Sequence, residues 1–353
     1  MDDDGQQGAQ AATGRQMETG LILPPRPRRT GRLARMIEEM GFSTLLLTDS
    51  QNLAPEVFTQ LTLAAAATTR LRVGTGVSNP VTRDSAVLAS SALSIQGESE
   101  GRMVLGLGRG DSAVQRIGKD LYPLKDFSCY LDQLQAYLRG EATDRDGFES
   151  RIEWHRAVKQ MKVPLQIAAT GPRVIELAAR KADAVMFAVG ADPDHLGACL
   201  ARARAAAAEA GRGPDEVRYG AFINSVVHDD LAVAHDAVRG TAATFARFSS
   251  FKGSPVAQLP PALREAVGFL REHYDMAEHT RESSKHARAM ENDFIDWFTI
   301  SGPLEQVKPR FAALRDLGLD FVYMVTSSSD TPREVARASL ANVASGVLPL
   351  LQG

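Results

Sequence analysis

The chain has 353 residues, is 44% hydrophobic and 24% charged, and carries a formal net charge of −3. That balance is ordinary for a globular protein and gives no electrostatic case for a nucleic-acid or membrane surface. Its two cysteines, Cys129 and Cys199, are far apart and lack metal-ligand spacing, so they read as reduced thiols of a cytoplasmic protein.

The first stretch, MDDDGQQGAQAATGRQ, is acidic and then polar, which predicts a disordered tail over 1–16 rather than a secretory signal. No apolar run reaches the ~20 residues that span a bilayer. From residue 17 onward the chain reads as one domain. TGLIL (19–23) is a buried strand ended by two prolines. TGRLARMIEEMG (30–41) follows as a helix, with Leu33, Met36, Ile37 and Met40 on one face, Thr30 as N-cap and Gly41 just past the end. STLLLTDS (43–50) is a second strand, 55–69 an alanine-rich helix, LRVGTGV (71–77) a third strand, 84–96 a helix and MVLGLG (103–108) a fourth strand.

The same alternation resumes after a long connection. Strands are predicted at 163–170, 183–190, 217–227 and 320–326, with helices at 171–182, 194–211, 301–318 and 331–344. Pro309 interrupts the apolar stripe of the 301–318 helix and predicts a kink. The strands are continuously apolar rather than alternating, as in a parallel sheet covered on both faces. Eight strands, each followed by a helix, make a (β/α)₈ TIM barrel of the α/β class. Residues 111–162 and 228–300 are too long for plain loops, so helical insertions are expected after strands 4 and 7.

In such a barrel the chemistry sits at the carboxyl ends of the strands. Those ends carry Asp49–Ser50–Gln51–Asn52, Gly76–Val77–Ser78–Asn79, Gly108–Arg109–Gly110–Asp111, Ala169–Thr170–Gly171, Val189–Gly190, Asn224–Ser225 and Thr326–Ser327. GLGRGD (106–111) is not the spacing of a dinucleotide fingerprint, and no acidic residue is placed for a ribose. Gly106, Gly108 and Gly110 instead read as a close approach of backbone to a flat ring or phosphate, with Asp111 pointing into the pocket. The competing reading is tight packing of the strand with Asp111 as an N-cap. ATGPR (169–173) turns a strand into a helix whose exposed N–H groups suit a phosphate. His273, Tyr274 and His279 lie in the second insertion and would line a substrate pocket if that segment folds over the mouth.

Four segments, TDSQNLAPEVFTQLTLAA (48–65), RVGTGVSNPVTRDSAV (72–87), GRMVLGLGRGDSAV (101–114) and VPLQIAATGPRVIELAARKADAVM (163–186), resemble the luciferase-like oxidoreductases, in particular their methylenetetrahydromethanopterin reductase branch. SGPLEQV (301–307) is similar to the family's last helix. The resemblance implies a barrel that binds FMN or the deazaflavin coenzyme F420, usually as a dimer, with a non-prolyl cis peptide at Gly76–Val77. It implies that Gly76, Val77, Ser78, Asn79, Gly108 and Gly110 meet the ring. Ala169, Thr170, Gly171 and Pro172, joined by Gly190, would hold the phosphate, and Asp49, Gln51 and Asp111 would be catalytic. Relatives that use the deazaflavin often have Asp-His after the second strand, where this chain has Asp49–Ser50. The expectation is therefore a two-component monooxygenase in which a partner flavin reductase supplies reduced FMN for oxygenation of a small organic substrate. Hydride transfer with the deazaflavin is the alternative, and a flavin-binding protein without turnover is a third.

Overall fold

The computed structural model describes residues 16–157, 162–249, 257 and 259–353. Most of the tail expected at 1–16, and part of the Pro-rich stretch at 254–261, lie outside the described residues.

Eight strands form the barrel: β1 (Glu18–Leu23), β2 (Thr44–Leu47), β3 (Arg72–Thr75), β4 (Met103–Leu107), β7 (Leu165–Ala169), β8 (Ala184–Phe187), β9 (Arg218–Asn224) and β10 (Phe321–Val325). All pair in parallel, and the ring closes where β1 meets both β2 and β10. Each predicted strand is present; β1 begins one residue earlier than predicted, and the other seven are shorter than predicted. Two further strands, β5 (Thr143–Arg145) and β6 (Phe148–Ser150), form an antiparallel hairpin in the first insertion. The sequence reading anticipated only helices there.

The outer layer is α1 (Thr30–Glu39), α2 (Val57–Ala67), α3 (Ser85–Glu98), α4 (Ser112–Gln115), α5 (Leu124–Arg139), α6 (Pro172–Lys181) and α7 (Pro193–Glu209) in the first part. The second insertion contributes α8 (Leu231–Phe248), α9 (Pro261–His273), α10 (Lys285–Arg288) and α11 (Asn292–Phe298). The chain closes with α12 (Leu304–Asp316), α13 (Arg333–Asn342) and α14 (Leu348–Gln352). Among the described residues no helix is long and apolar enough to cross a membrane. Helix α12 is assigned without a break through Pro309, so the expected interruption does not divide it. Thr30 is the first residue of α1 rather than its cap: its hydroxyl sits 2.6 Å from Gln60 Oε1. Gly41 does terminate α1, at φ +92°, with its N–H donating to Glu38 and that of Phe42 to Ile37.

Between sheet and helices runs one large apolar core that includes Leu45, Leu105, Ile167, Val185 and Ile223. A second set fills the barrel itself: Ile22, Leu46, Ala184, Met186, Ala188, Phe222, Phe321 and Tyr323. The amino-terminal end of the barrel is plugged by ions. Glu18 accepts from Arg72 at 2.7 Å and lies 2.9 Å from Arg218; burial would raise its pKa, but the two guanidiniums and Thr44 hold it below the usual carboxylate range. Tyr323 joins this floor, 3.2 Å from Gln166 and 3.3 Å from Glu18. With that end sealed, the open end is the carboxyl one. The second insertion packs its own cluster there, including Val238, Leu263, Val267, Leu270, Ile295 and Phe298.

Candidate active site

A cavity of about 910 Å³ opens at the carboxyl ends of the strands, between the barrel rim and the second insertion. Its size suits a ligand of coenzyme dimensions.

The wall from β3 and β4 is built by close strand approach. A Cβ on Gly106 would lie 2.1 Å from the Thr75 carbonyl oxygen, and one on Gly74 equally close to that of Val104. Gly106 is thus explained by strand packing, correcting its reading as a ligand contact. Gly108 and Gly110 do line the cavity. Gly108 backs onto Val77, and Gly110, at φ +103°, gives way to Val114. The peptide bond between Gly76 and Val77 is cis, as the resemblance implied, and both residues line the cavity with Ser78 and Asn79. Asn79 Oδ1 accepts from the amides of Val81 and Thr82, both at 3.0 Å, so this side chain also shapes the turn after β3.

Asp49, past the end of β2, is buried and lines the same wall. Ser78 donates to its Oδ2 at 2.7 Å, and Arg83 lies 3.1 Å away. Burial raises its pKa, against the pull of Arg83 and Ser78. Ser50, the residue after it, meets Ser112 at 3.2 Å between the hydroxyls. Gln51 does not reach the cavity. It is exposed, and its amide donates to the Ala113 carbonyl at 2.7 Å. A free side chain at the end of a short strand follows the nearest loop acceptor, which sequence position does not reveal.

Asp111 lines the cavity, but its side chain does not cap α4. Its Oδ1 is taken by Arg247 of α8, whose other terminal nitrogen lies 3.4 Å from Gln115 Oε1. Arg247 is buried and its guanidinium lies over the Tyr274 ring, 4.4 Å from the centroid. The sequence reading missed Arg247 altogether. Its only signal was a lone arginine on the apolar face of an alanine-rich helix.

At the start of α6, Thr170, Gly171, Pro172 and Arg173 line the cavity. Ala169 does not: the pleat turns it outward into the core, and Ala168 faces in instead. Gly190 is likewise elsewhere. Its φ is +93°, and a Cβ there would strike the Phe298 ring at 2.6 Å, so it serves packing of α11. Gly171 is different. Its φ of −101° needs no glycine, and a Cβ would meet nothing within 4 Å. The missing side chain keeps open a hollow at a helix amino terminus. Arg109, from the adjoining strand end, also lines the cavity; burial and then the nearby Arg173 cation push its pKa down. Arg109 Nε donates to the Tyr122 carbonyl at 2.7 Å, and Arg173 lies in the first turn of α6; two cations and a helix start thus line one cavity, a donor set that suits a phosphate.

The opposite wall is apolar. Ile22, Ala188, Phe222, Phe245, Phe248 and Val325 line it; the Phe222–Phe245 and Phe245–Phe248 centroids are 5.3 and 5.1 Å apart. Of the three residues expected from the insertion, His279 lines the cavity and the other two do not. Tyr274 stands behind it, with its hydroxyl 2.7 Å from His279 Nδ1. His273 is exposed and stacks on Phe269 within its own helix. Among the described residues no three metal-ligating side chains come together.

Comparison with known proteins follows this geometry. The family model for the luciferase-like monooxygenases matches residues 5–320. The 5,10-methylenetetrahydromethanopterin reductase of Methanolobus tindarius is 29% identical over 289 residues, covering 81% of this chain and 86% of that protein. The coenzyme F420-dependent tetrahydromethanopterin reductase of Methanopyrus kandleri superposes with a TM-score of 0.73 at 20% identity, over 95% of this chain and 99% of that one. The FMN-bound oxygenating constituent of 3,6-diketocamphane monooxygenase from Pseudomonas putida has a TM-score of 0.65 at 16% identity, over 95% and 98% of the two chains.

Proposed function

Since the chain belongs to the luciferase-like monooxygenase family, we propose that it is an oxidoreductase that binds the deazaflavin coenzyme F420 and moves a hydride between it and a small organic molecule. The observation that carries this reading is the hollow at Gly171. It is an unfilled cradle at the amino terminus of α6, in a cavity of about 910 Å³ that Arg109 and Arg173 also line. Its choice of coenzyme over FMN is supported by the methylenetetrahydromethanopterin reductases among its relatives.

Thr170, Gly171, Pro172 and the two arginines would hold the phosphate. The β3–β4 wall, from Gly76 to Ser78 with Gly108, would lie against the ring. When bound, the coenzyme supplies a hydride to, or accepts one from, a carbon held against its face. The protein's part is positional. Asp49, held by Ser78 and Arg83, fixes the polar edge of the ring pocket. Arg247 holds Asp111 and ties the insertion to the rim. Phe222, Phe245 and Val325 keep water from the reacting carbon.

Titration of the full chain with F420, FMN and reduced FMN, followed by fluorescence, tests the reading. F420 should bind at least about tenfold more tightly than either flavin, a difference of about 1.4 kcal/mol. A second reading keeps reduced FMN and oxygen; it is favoured by Ser50, a hydroxyl where deazaflavin-using relatives often carry imidazole. Tighter binding of reduced FMN, with oxygen uptake coupled to substrate oxidation, would establish that reading instead.

A further inference from the structure

The connection from β1 to α1, with the first turns of that helix, carries positive charge that nothing nearby answers. Arg26, Arg28, Arg29, Arg32 and Arg35 fall in one short segment, and no Asp or Glu occurs between Glu18 and Glu38. All five are exposed, and among the described residues none forms an ion pair. Glu38 is engaged elsewhere: its Oε1 accepts from the amides of Thr69, Arg70 and Leu71. Arg35 Nε donates to the Ala67 carbonyl at 3.4 Å, a contact that leaves its charge unneutralised.

This placement costs local stability in three ways. The Arg26 carbonyl accepts from the amides of Arg29 and Thr30 at 3.0 and 2.9 Å, which closes a tight turn. Within it Arg28 has φ +61°, a left-handed conformation that suits glycine. Arg28, Arg29 and Arg32 stand at the amino end of α1, where the helix dipole favours anions, and the first turn holds no acidic residue. Arg29, Arg32 and Arg35 follow at every third position, which sets like charges about 5–6 Å apart at Cβ along one edge. Local rules broken together on an exposed surface point to binding.

The strip is not the phosphate hollow. In the ring of strands β1 stands directly opposite β7, which leads to Gly171. Arg26 lines the cavity with Leu53, from the loop after β2, so the strip begins at the entrance. Arg29 and Arg35 are about 9 Å apart along the helix axis, too far for one small anion. An extended peptide repeats its side chains on one face about every 7 Å, close to the spacing of the arginines. Met36 and Leu53 are exposed, and arginine with methionine is the composition of a protein interface. A nucleic acid fits less well, because residues 19–37 hold no aromatic ring to stack on a base. The strip also ends at Glu38 and Glu39, which would repel phosphates or anionic headgroups.

We propose that the strip from Arg26 to Arg35 is a docking surface for an acidic, carboxylate-rich segment of a partner protein, seated beside the cavity entrance. Guanidinium forks pair with carboxylates through two parallel hydrogen bonds. This surface is independent of the coenzyme that the cavity takes.

Fluorescence anisotropy of a labelled decaglutamate peptide with the full, coenzyme-free chain tests the assignment. The peptide should bind at about 20 mM salt and lose at least about tenfold in affinity by about 200 mM. Arg29→Glu combined with Arg32→Glu should weaken binding at least about tenfold. The same variant should unfold at a higher temperature than the wild type, since carboxylates suit that helix end; a lower midpoint would show that the arginines serve folding and overturn the binding role. In the wild type the peptide should slow amide exchange over residues 26–36. No binding, wild-type affinity in the variant, or protection over 171–175 instead overturns the docking surface. Tighter binding of decathymidylate or of phosphatidylglycerol vesicles would overturn the choice of a protein partner. Deletion of residues 1–16 should leave the peptide's affinity within about twofold, whereas a gain of about tenfold would show that Asp2, Asp3 and Asp4 compete for the strip and would overturn the external partner.

Discussion

His279 is an uncharged histidine whose state has a consequence for folding. Its pKa is about 4 in the folded chain and near 6.5 when unfolded. Burial lowers those of His195 and His286 in the same direction. For a base whose folded pKa is depressed, the unfolded chain binds the extra proton between the two values. Stability from His279 is therefore complete above about pH 6.5 and is lost as pH falls towards 4, by up to about 3 kcal/mol. Asp49 has the opposite sign: its raised pKa costs stability as pH rises through it. Denaturant midpoints at pH 4.5 and 7 should thus differ more in the wild type than in His279→Gln. Equal differences in the two proteins would show that His279 titrates normally. None of this was legible at residue level. A histidine in REHYDMAEHTRES is indistinguishable from its neighbour His273 until the backbone turns one toward the cavity and the other toward water.

Two glycines at strand ends show the contrast at the scale of the element. Gly106 is required by the ladder, since a Cβ would press on the Thr75 carbonyl of the neighbouring strand. Gly106→Ala should cost about 3 kcal/mol or prevent folding, as read by the thermal midpoint. Gly171, at the junction of β7 and α6, has open space around its missing Cβ. Gly171→Val should leave stability within about 0.5 kcal/mol of wild type while weakening coenzyme binding at least about tenfold, measured by the same titration. A large loss of stability there would mean that the glycine serves folding after all. Gly106 lies within β4 and Gly171 just after β7; the sequence reading set the first against a flat ring or phosphate and the second against the phosphate. Elements were nonetheless its strongest part. All eight barrel strands follow from largely apolar runs that do not alternate, and α6 from a proline at its start. What it missed were weak signals: the short β5–β6 hairpin and the final turn α14 around Pro349.

At the scale of the whole molecule, the active end is closed by a unit with its own apolar cluster, packed from α8, α9, α10 and α11. The Arg247–Asp111 pair joins this unit to the barrel rim, and Arg116 adds a bond to the Met276 carbonyl. Removing one partner of a buried pair leaves the other charge uncompensated, at a cost of about 3 kcal/mol. Arg247→Met should accordingly speed amide exchange across 261–300 while the β1–β4 strands keep their protection. Uniform acceleration through the barrel would show that insertion and barrel unfold as one.

The sequence by itself determined the barrel and the rim on which its chemistry must lie. Both depend on local patterns, on apolar runs of strand length and on helices with one buried face, which every short window of the chain displays. Only the tertiary structure decided which rim residues meet in the cavity. It set Ala168 rather than Ala169 facing inward, turned Gln51 away, and brought Arg247 onto Asp111 across 136 positions of chain. Such contacts depend on the pleat of a strand and the path of an insertion, and those are properties of the closed ring that no short segment carries alone.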